Sequence, residues 1–217
     1  MISEALILAV DTTRENGSIA LARGSAVIDE MPLHAPQGFA QVLYGHLDEL
    51  LKRNRVALAD VECFAAASGP GSFTGVRVGL ACVKGLAEAM GKPAIGVSNL
   101  QAIASFGASP LRAAVLDARR GEVYGAVYDA AGRLIQRETV AKFSAWMEAL
   151  PPGDMEILSP DFECAGVVIR KTPRAIAGAV ARLALERLAL GEACDPAGLD
   201  ANYVRRSDAE LFWKDAG

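Results

Sequence analysis

The sequence predicts an α/β protein of two duplicated lobes, each a mixed sheet with flanking helices, and three observations predict it. Short continuous apolar runs alternate with stretches of helical spacing. The order of features in "LILAVDTTRENGSIALARGSAVID" (6–29) returns in "AAVLDARRGEVYGAVYDAAGRLIQ" (113–136): apolar strand, Asp, charged turn with Gly, strand, Gly turn, strand. Such a return implies a duplicated three-stranded unit. Finally, the composition shifts at "SFGASP" (105–110), which suggests an N-terminal lobe over 1–107 and a smaller C-terminal lobe over 108–217.

The elements follow in order. "LILAV" (6–10) is a buried strand that ends in the turn Asp11-Thr12-Thr13. "SIALA" and "AVIDEM", separated by Arg23-Gly24-Ser25, form a hairpin. Between Gln37 and Arg53 the spacing becomes helical, with Phe39, Val42, Leu43, His46, Leu47, Leu50 and Leu51 on one face. "CFAAAS" is a buried strand, and "SGPGSFTGVRVG" (68–79) leaves its end. Val76, Leu80, Val83, Ala87 and Met90 mark the inner face of the next helix, "PAIGV" is a strand and 98–106 a helix. Beyond the repeat, 143–150 is a short helix, "MEIL" a strand, and 173–190 a helix with Ile176, Val180, Leu183 and Leu188 inward. From Cys194 on the tail is broken by Pro and Gly, and "FWK" near its end is placed as a docking segment for the body or a partner.

At 217 residues and 52% hydrophobic, the chain has enough apolar material for a sizeable core. A net charge of -4, with Lys+Arg 22 interspersed among Asp+Glu 26, leaves no basic stripe and disfavours direct, tight binding of nucleic acid. The opening has no basic leader and no small-residue cleavage site, so no secretory signal is expected. Gly, Pro or charge breaks every longer apolar stretch, so no membrane span is expected. The four cysteines lack CxxC spacing and read as reduced structural thiols of a cytoplasmic protein.

The glycine-rich segment 68–79 is the feature that bears on function. A phosphate-binding P-loop needs Gly-x-x-x-x-Gly-Lys-Ser/Thr, and here Gly75 is followed by Val76 with no lysine. A nucleophile elbow needs Gly-x-Ser-x-Gly and a histidine base, whereas Phe73 and Thr74 separate Ser72 from Gly75 and the two histidines lie upstream. What remains is a strand-to-helix turn with Ser72 or Thr74 as N-cap. Gly75, Gly79, Ala81, Cys82 and Gly85 make the helix slim, so that another segment, of this chain or of a partner, can approach closely.

"GPGSFTGVRVG" (69–79), together with "LAVDTT" (8–13), "IGVSNL" (95–100), "DARRGEVY" (117–124) and "YVRRSDAE" (203–210), resembles the bacterial TsaB family, also called YeaZ. The agreement runs in order over nearly the whole chain. The resemblance implies the two-lobed fold of acetate kinase, sugar kinases, Hsp70 and actin (the ASKHA fold), and a part in forming N6-threonylcarbamoyladenosine in tRNAs that read codons beginning with A. In that system a synthase makes threonylcarbamoyl-AMP and a TsaD-type transferase passes the threonylcarbamoyl group to adenosine. The TsaB protein is the non-catalytic paralogue that binds TsaD, and a small TsaE-type ATPase joins them. The resemblance further implies a homodimer when alone, and tRNA reached only through the complex.

The residues here agree with a non-catalytic part. TsaD-type catalysts carry His-x-x-x-His where this chain has Asn99 and Ile103, a poor ligand and none, so no metal is expected there. Asp11 has two readings. In nucleotide-binding relatives the matching Asp orients a metal-bound water, with Thr12 and Thr13 in the phosphate turn; alternatively Asp11 caps its own turn. No tightly bound cofactor is expected, with ATP or ADP placed at the partner interface. Arg119 and Arg120 are solvated turn residues or an anion site. His46 reads as packed on the apolar helix face and His34 as exposed loop, near Gly38-Phe39-Ala40, where family members often have Glu-His-Thr. The partner surface is expected from Gly75, Val76, Val78, Gly79, Leu80 and Val83, with Phe39 and Leu43, so that a large side chain at Gly79 breaks it; the alternative is that these residues pack on their own sheet. Two rival functions are an ATPase or kinase of the same fold acting alone, lost on Asp11→Ala, and a peptidase, which needs a metal or nucleophile site.

Overall fold

The computed structural model describes residues 4–193 and 195–205; Cys194, "FWK" and most of "YVRRSDAE" lie outside the described residues. In chain order the strands are β1 (Leu6–Asp11), β2 (Asn16–Arg23), β3 (Ala26–His34), β4 (Cys63–Ala67), β5 (Ala94–Val97), β6 (Leu111–Arg119), β7 (Glu122–Asp129), β8 (Leu134–Lys142), β9 (Met155–Ser159) and β10 (Arg170–Lys171). The helices are α1 (Leu43–Arg53), α2 (Phe73–Met90), α3 (Asn99–Ala104), α4 (Phe143–Glu148) and α5 (Ala177–Ala189).

Two compact units result: Met1–Ala102 with Pro173–Ala201, and Ile103–Thr172 with Asn202–Gly217. Each holds a five-stranded sheet, in the order β3-β2-β1-β4-β5 in the first and β10-β9-β6-β7-β8 in the second. Read from its other edge, the second order is β8-β7-β6-β9-β10, the same path as the first. Directions agree as well: β1 pairs antiparallel with β2 and parallel with β4, and β6 pairs antiparallel with β7 and parallel with β9. The repeat seen in the sequence is a duplication of topology.

Within the first unit, alternation along the strands divides the sheet into two unlike faces. Leu6, Leu8, Val10, Ile19, Leu21 and Phe64 point to one side and form a single core with α1 and α2. Their neighbours Ala9, Ala20, Ala22, Ala65 and Ala67, all buried, point to the other. There α5 packs across the strands, presenting the small residues Ala177, Gly178, Ala181 and Ala184. Small residues on both surfaces let the helix lie close to the sheet.

The start of α5 is capped by residues far away in sequence. Ser18 Oγ accepts the backbone N–H groups of Ile176 (3.1 Å) and Ala177 (2.9 Å), and Glu30 Oε1 accepts that of Gly178 (2.9 Å). A carboxylate at a helix N-terminus also meets the positive end of the helix dipole. These contacts assign 173–201 to the first unit and correct the expectation of a contiguous lobe over 108–217.

Two further expectations change. Helix α1 begins at Leu43 and not at Gln37, because Gly38 sits at φ 96°, a left-handed conformation that interrupts a right-handed helix. Leu188 is half-buried, while Ile176, Val180 and Leu183 point inward as expected. In the second unit, Gly125 leaves the slot filled by Trp146 of α4: a Cβ there would lie 2.3 Å from the indole. The segment 107–109 is held by Glu156, which accepts the amides of Ala108 and of Ser109 (2.7 Å) and pairs with Arg170 (2.8 Å). Among the described residues no helix is long and apolar enough to cross a membrane.

Replacing Glu30 by Ala should destabilise the protein by about 1–2 kcal/mol, the scale of a lost helix cap, in reversible denaturation. Glu156 gives a pH signature. Burial raises its pKa, but hydrogen bonds from Arg170, Ser109 and Ala108 outweigh that and hold it below the usual value of 4.5. A depressed folded-state pKa contributes stability present above 4.5 and lost as pH falls through the folded value. The stability gap between wild type and Glu156→Gln should therefore be full at neutral pH and shrink below about pH 4.5 in acid titrations followed by circular dichroism.

Candidate functional site

The glycine-rich segment runs from the end of β4 into α2. Gly69 takes φ 107° ahead of a cis bond to Pro70, and Ser72 is the N-cap, its Oγ accepting the Gly75 amide at 3.3 Å. The start of the helix sits on the turn that follows β1. Thr13 O accepts the Ser72 amide (2.7 Å), and Thr12 Oγ1 donates to Gly75 O (2.7 Å). Three glycines make this approach feasible. A Cβ on Gly71 would lie 2.5 Å from Thr13 O, one on Gly75 2.1 Å from Thr12 O, and one on Gly79 2.6 Å from Thr12 Oγ1. What the slim helix admits is this chain's own turn.

Behind the turn lies a buried polar cluster. Asp11 Oδ1 accepts from the Thr13 amide (2.9 Å) and hydroxyl (2.6 Å), the self-capping arrangement of an Asx turn. Its Oδ2 takes no hydrogen bond and lies 3.7 Å from Arg14 Nη2. Asn99, the first residue of α3, donates from Nδ2 to Thr13 Oγ1, and its Oδ1 accepts the Gly69 amide at 3.2 Å. Asp11, Thr12 and Thr13 are 0%, 1% and 0% exposed. Of the groups expected to meet a nucleotide, the threonine hydroxyls and one oxygen of Asp11 are hydrogen-bonded within their own unit.

The residues expected on the partner surface divide. Phe39, Leu43, Val76, Leu80 and Val83 lie in the core with the sheet, and Gly75 and Gly79 face the β1 turn. These seven pack on their own unit, as the second of the two readings of these residues has it. Val78 is half-buried against the same core. The outward row of α2 is a different set, one and two turns apart: Phe73, Arg77, Ala81 and Gly85. Phe73 is 46% exposed, with the Arg77 guanidinium 3.7 Å above its ring. On α1 and its cap, Tyr44 and Val42 are 58% and 39% exposed. The Tyr44 hydroxyl hydrogen-bonds the thiol of Cys82, which burial pushes up to about 11, so the sulfur stays protonated. Tyr44, Leu47, Leu51, Leu58 and Leu86 line an open groove on these helices. The sequence marks this row only by exclusion: 73, 77, 81 and 85 fall outside the apolar set 76, 80, 83 and 87.

The other candidates stand apart from this site. His34 ends β3, not a loop, with Nδ1 3.0 Å from Asn16 Oδ1. His46 is half-exposed, 3.7 Å from Glu49, and so is not packed into the core. Arg119 and Arg120 are exposed in the β6–β7 turn, where they and Gly121 take φ between 57° and 74°. Ile103 offers no donor atom beside Asn99, and among the described residues no three His, Cys, Asp or Glu side chains form a metal-binding group.

The chain matches the family model described as TsaD, tRNA N6-adenosine threonylcarbamoyltransferase, over residues 30–188. It is 29% identical to the tRNA threonylcarbamoyladenosine biosynthesis protein TsaB of Bacillus subtilis, over 95% of this chain and 97% of that one. To the protein of the same description from Escherichia coli it is 39% identical, over 56% of this chain and 54% of the relative. A crystal structure of a Pseudomonas aeruginosa protein, described as uncharacterised with similarity to peptidase YEAZ, superposes with a TM-score of 0.78 at 27% identity, covering 93% of this chain and all of that one.

The glycines sort by neighbour. Gly79→Ala should cost about 1–3 kcal/mol, since its methyl must displace Thr12, whereas Gly85→Ala, with nothing within 4 Å, should be neutral or stabilising by up to about 1 kcal/mol in thermal melts.

Proposed function

Because the chain belongs to the TsaB family, within the wider family that includes the TsaD-type transferases, we propose that it is the non-catalytic partner of a TsaD-type transferase and binds it through the outward face of α1 and α2. The protein is a tRNA threonylcarbamoyladenosine biosynthesis protein with the actin-like ASKHA fold, and TsaB proteins work with TsaD-type transferases in this synthesis. The observation that carries the finer reading is the exposure of Val42, Tyr44 and Phe73 on or beside helices whose inner faces are already filled. Aromatic residues with an arginine among them are the side chains that dominate protein interfaces. Ala81 and Gly85, small and outward, leave room for a partner helix to cross closely.

A non-catalytic part agrees with the chemistry at hand. The carboxamide of Asn99 is engaged by Thr13 and Gly69, and Ile103 has no ligating atom. The remaining assignments follow the family reading. A TsaE-type ATPase joins the pair, ATP or ADP is held at the partner interface with none tightly bound by this chain alone, and the chain forms a homodimer through the same face when unpartnered. tRNA is reached only through the complex, in the cytoplasm.

Size exclusion with light scattering, on the chain alone and mixed with the TsaD-type protein of the same organism, with and without ATP, tests this. A one-to-one complex should form at the expense of homodimer, and Ala81→Arg should weaken it about tenfold or more while leaving the melting temperature nearly unchanged. Wild-type binding by Ala81→Arg would move the contact elsewhere. Failure to form any complex, with ATP hydrolysis by the chain alone, would replace this reading with an independent enzyme.

A further inference from the structure

We infer that Asn99 is a positioning residue for the outward face of α2, acting through Thr13; its effect on partner binding rests on the proposed function, while its geometry does not. Asn99 is fully buried, and its side chain joins two segments brought together from far apart in the sequence. Nδ2 donates to Thr13 Oγ1, and Oδ1 accepts the Gly69 amide at 3.2 Å, while the Asn99 backbone amide donates to Gly69 O at 2.8 Å. From Thr13 the chain of bonds continues, because its carbonyl accepts the amide of Ser72, the N-cap of α2, at 2.7 Å. Both ends of the Gly69–Ser72 loop are thus tied to one carboxamide, directly at Gly69 and through Thr13 at Ser72. The first exposed residue after that loop is Phe73, with Arg77 stacked on it one turn later.

The side-chain chemistry is specific. A carboxamide supplies a fixed donor and a fixed acceptor on one planar group, which an ionised carboxylate does not. The Thr13 hydroxyl proton is directed to Asp11 Oδ1 at 2.6 Å, so Thr13 Oγ1 needs a donor from Asn99. Asn99→Asp keeps the shape but sets an acceptor against an acceptor and buries a charge. The charged groups of the cluster are Asp11 and, 3.7 Å from its Oδ2, Arg14. Burial and the nearby Asp11 carboxylate raise the pKa of the new carboxyl, and once protonated its O–H supplies the missing donor.

The test follows Asn99→Asp and Asn99→Leu between pH 5.5 and 8.5 by two readouts: affinity for the TsaD-type transferase, and hydrogen-exchange protection of the Gly69 and Ser72 amides. Asn99→Asp should bind about tenfold more weakly than wild type at pH 8 and approach it near pH 5.5, with Ser72 protection falling and recovering in step, while Asn99→Leu stays impaired throughout. Wild-type protection of Gly69 and Ser72 in Asn99→Asp at every pH would overturn the inference, as would lost protection with no change in affinity. If the wild-type chain does not bind the transferase, the partner reading falls, and the protection factors alone decide the role of Asn99. Should Asn99→Asp not fold at pH 8, Thr13→Val breaks the same chain of bonds at its middle, and unchanged Ser72 protection in it would sink the inference equally.

Discussion

The seating of the turn after β1 against the first turns of α2 is the contact on which the first unit depends. Backbone meets backbone there: Thr13 O with the Ser72 amide, Thr12 O against the missing Cβ of Gly75, and Thr12 Oγ1 with Gly75 O. So close an approach is unforgiving, since a single methyl on Gly71 or Gly75 would overlap a carbonyl oxygen. With its N-terminus held, α2 turns Val76, Leu80, Val83 and Ala87 inward, while Phe73, Arg77, Ala81 and Gly85 face out.

The two faces of the sheet show how one strand set serves two different helix layers. Large residues on one side give α1 and α2 a thick core, and alanines on the other admit α5 at short range. A close helix brings its N-terminal amides near the sheet, where Ser18 and Glu30 satisfy them. Without those acceptors the amides would be buried unpaired, at a cost of about 1–3 kcal/mol each. The return of the chain to its first unit therefore rests on polar contacts more than 140 residues apart in sequence.

The strands themselves, the duplication and the inner faces of the helices were legible because periodicity and turn residues are local signals. The β1–β2–β3 pattern reappears in β6–β7–β8 with the same directions. What stayed hidden was non-local. No pattern around 173–190 announces that Ser18 and Glu30 cap it, and none around 99 that its amide reaches Thr13 and Gly69. The choice between the two readings of the helix residues was hidden for a related reason. Apolar residues at helical spacing mark whichever face is buried, and within one chain that face meets its own sheet. Phe39, Leu43, Val76, Leu80 and Val83 were visible as a set but pointed inward, while the outward set is mixed in character and shows no apolar rhythm.

The motif 68–79 then has one physical role with two consequences. In a nucleotide-binding relative, a turn at the position of Asp11–Thr13 must keep its hydroxyls and amides open toward phosphate. Here the hydroxyls of Thr12 and Thr13 and the Thr13 amide are spent on Gly75, Asp11 and Asn99, and the glycines that would otherwise free a loop draw a helix onto the turn. The helix held on this turn carries an exposed aromatic with an arginine stacked on it at its start. Rigidity is what a partner surface needs, because a face already ordered in the free protein loses less entropy on association. The contacts that occupy the polar groups of the turn are the same ones that hold the N-terminus of α2.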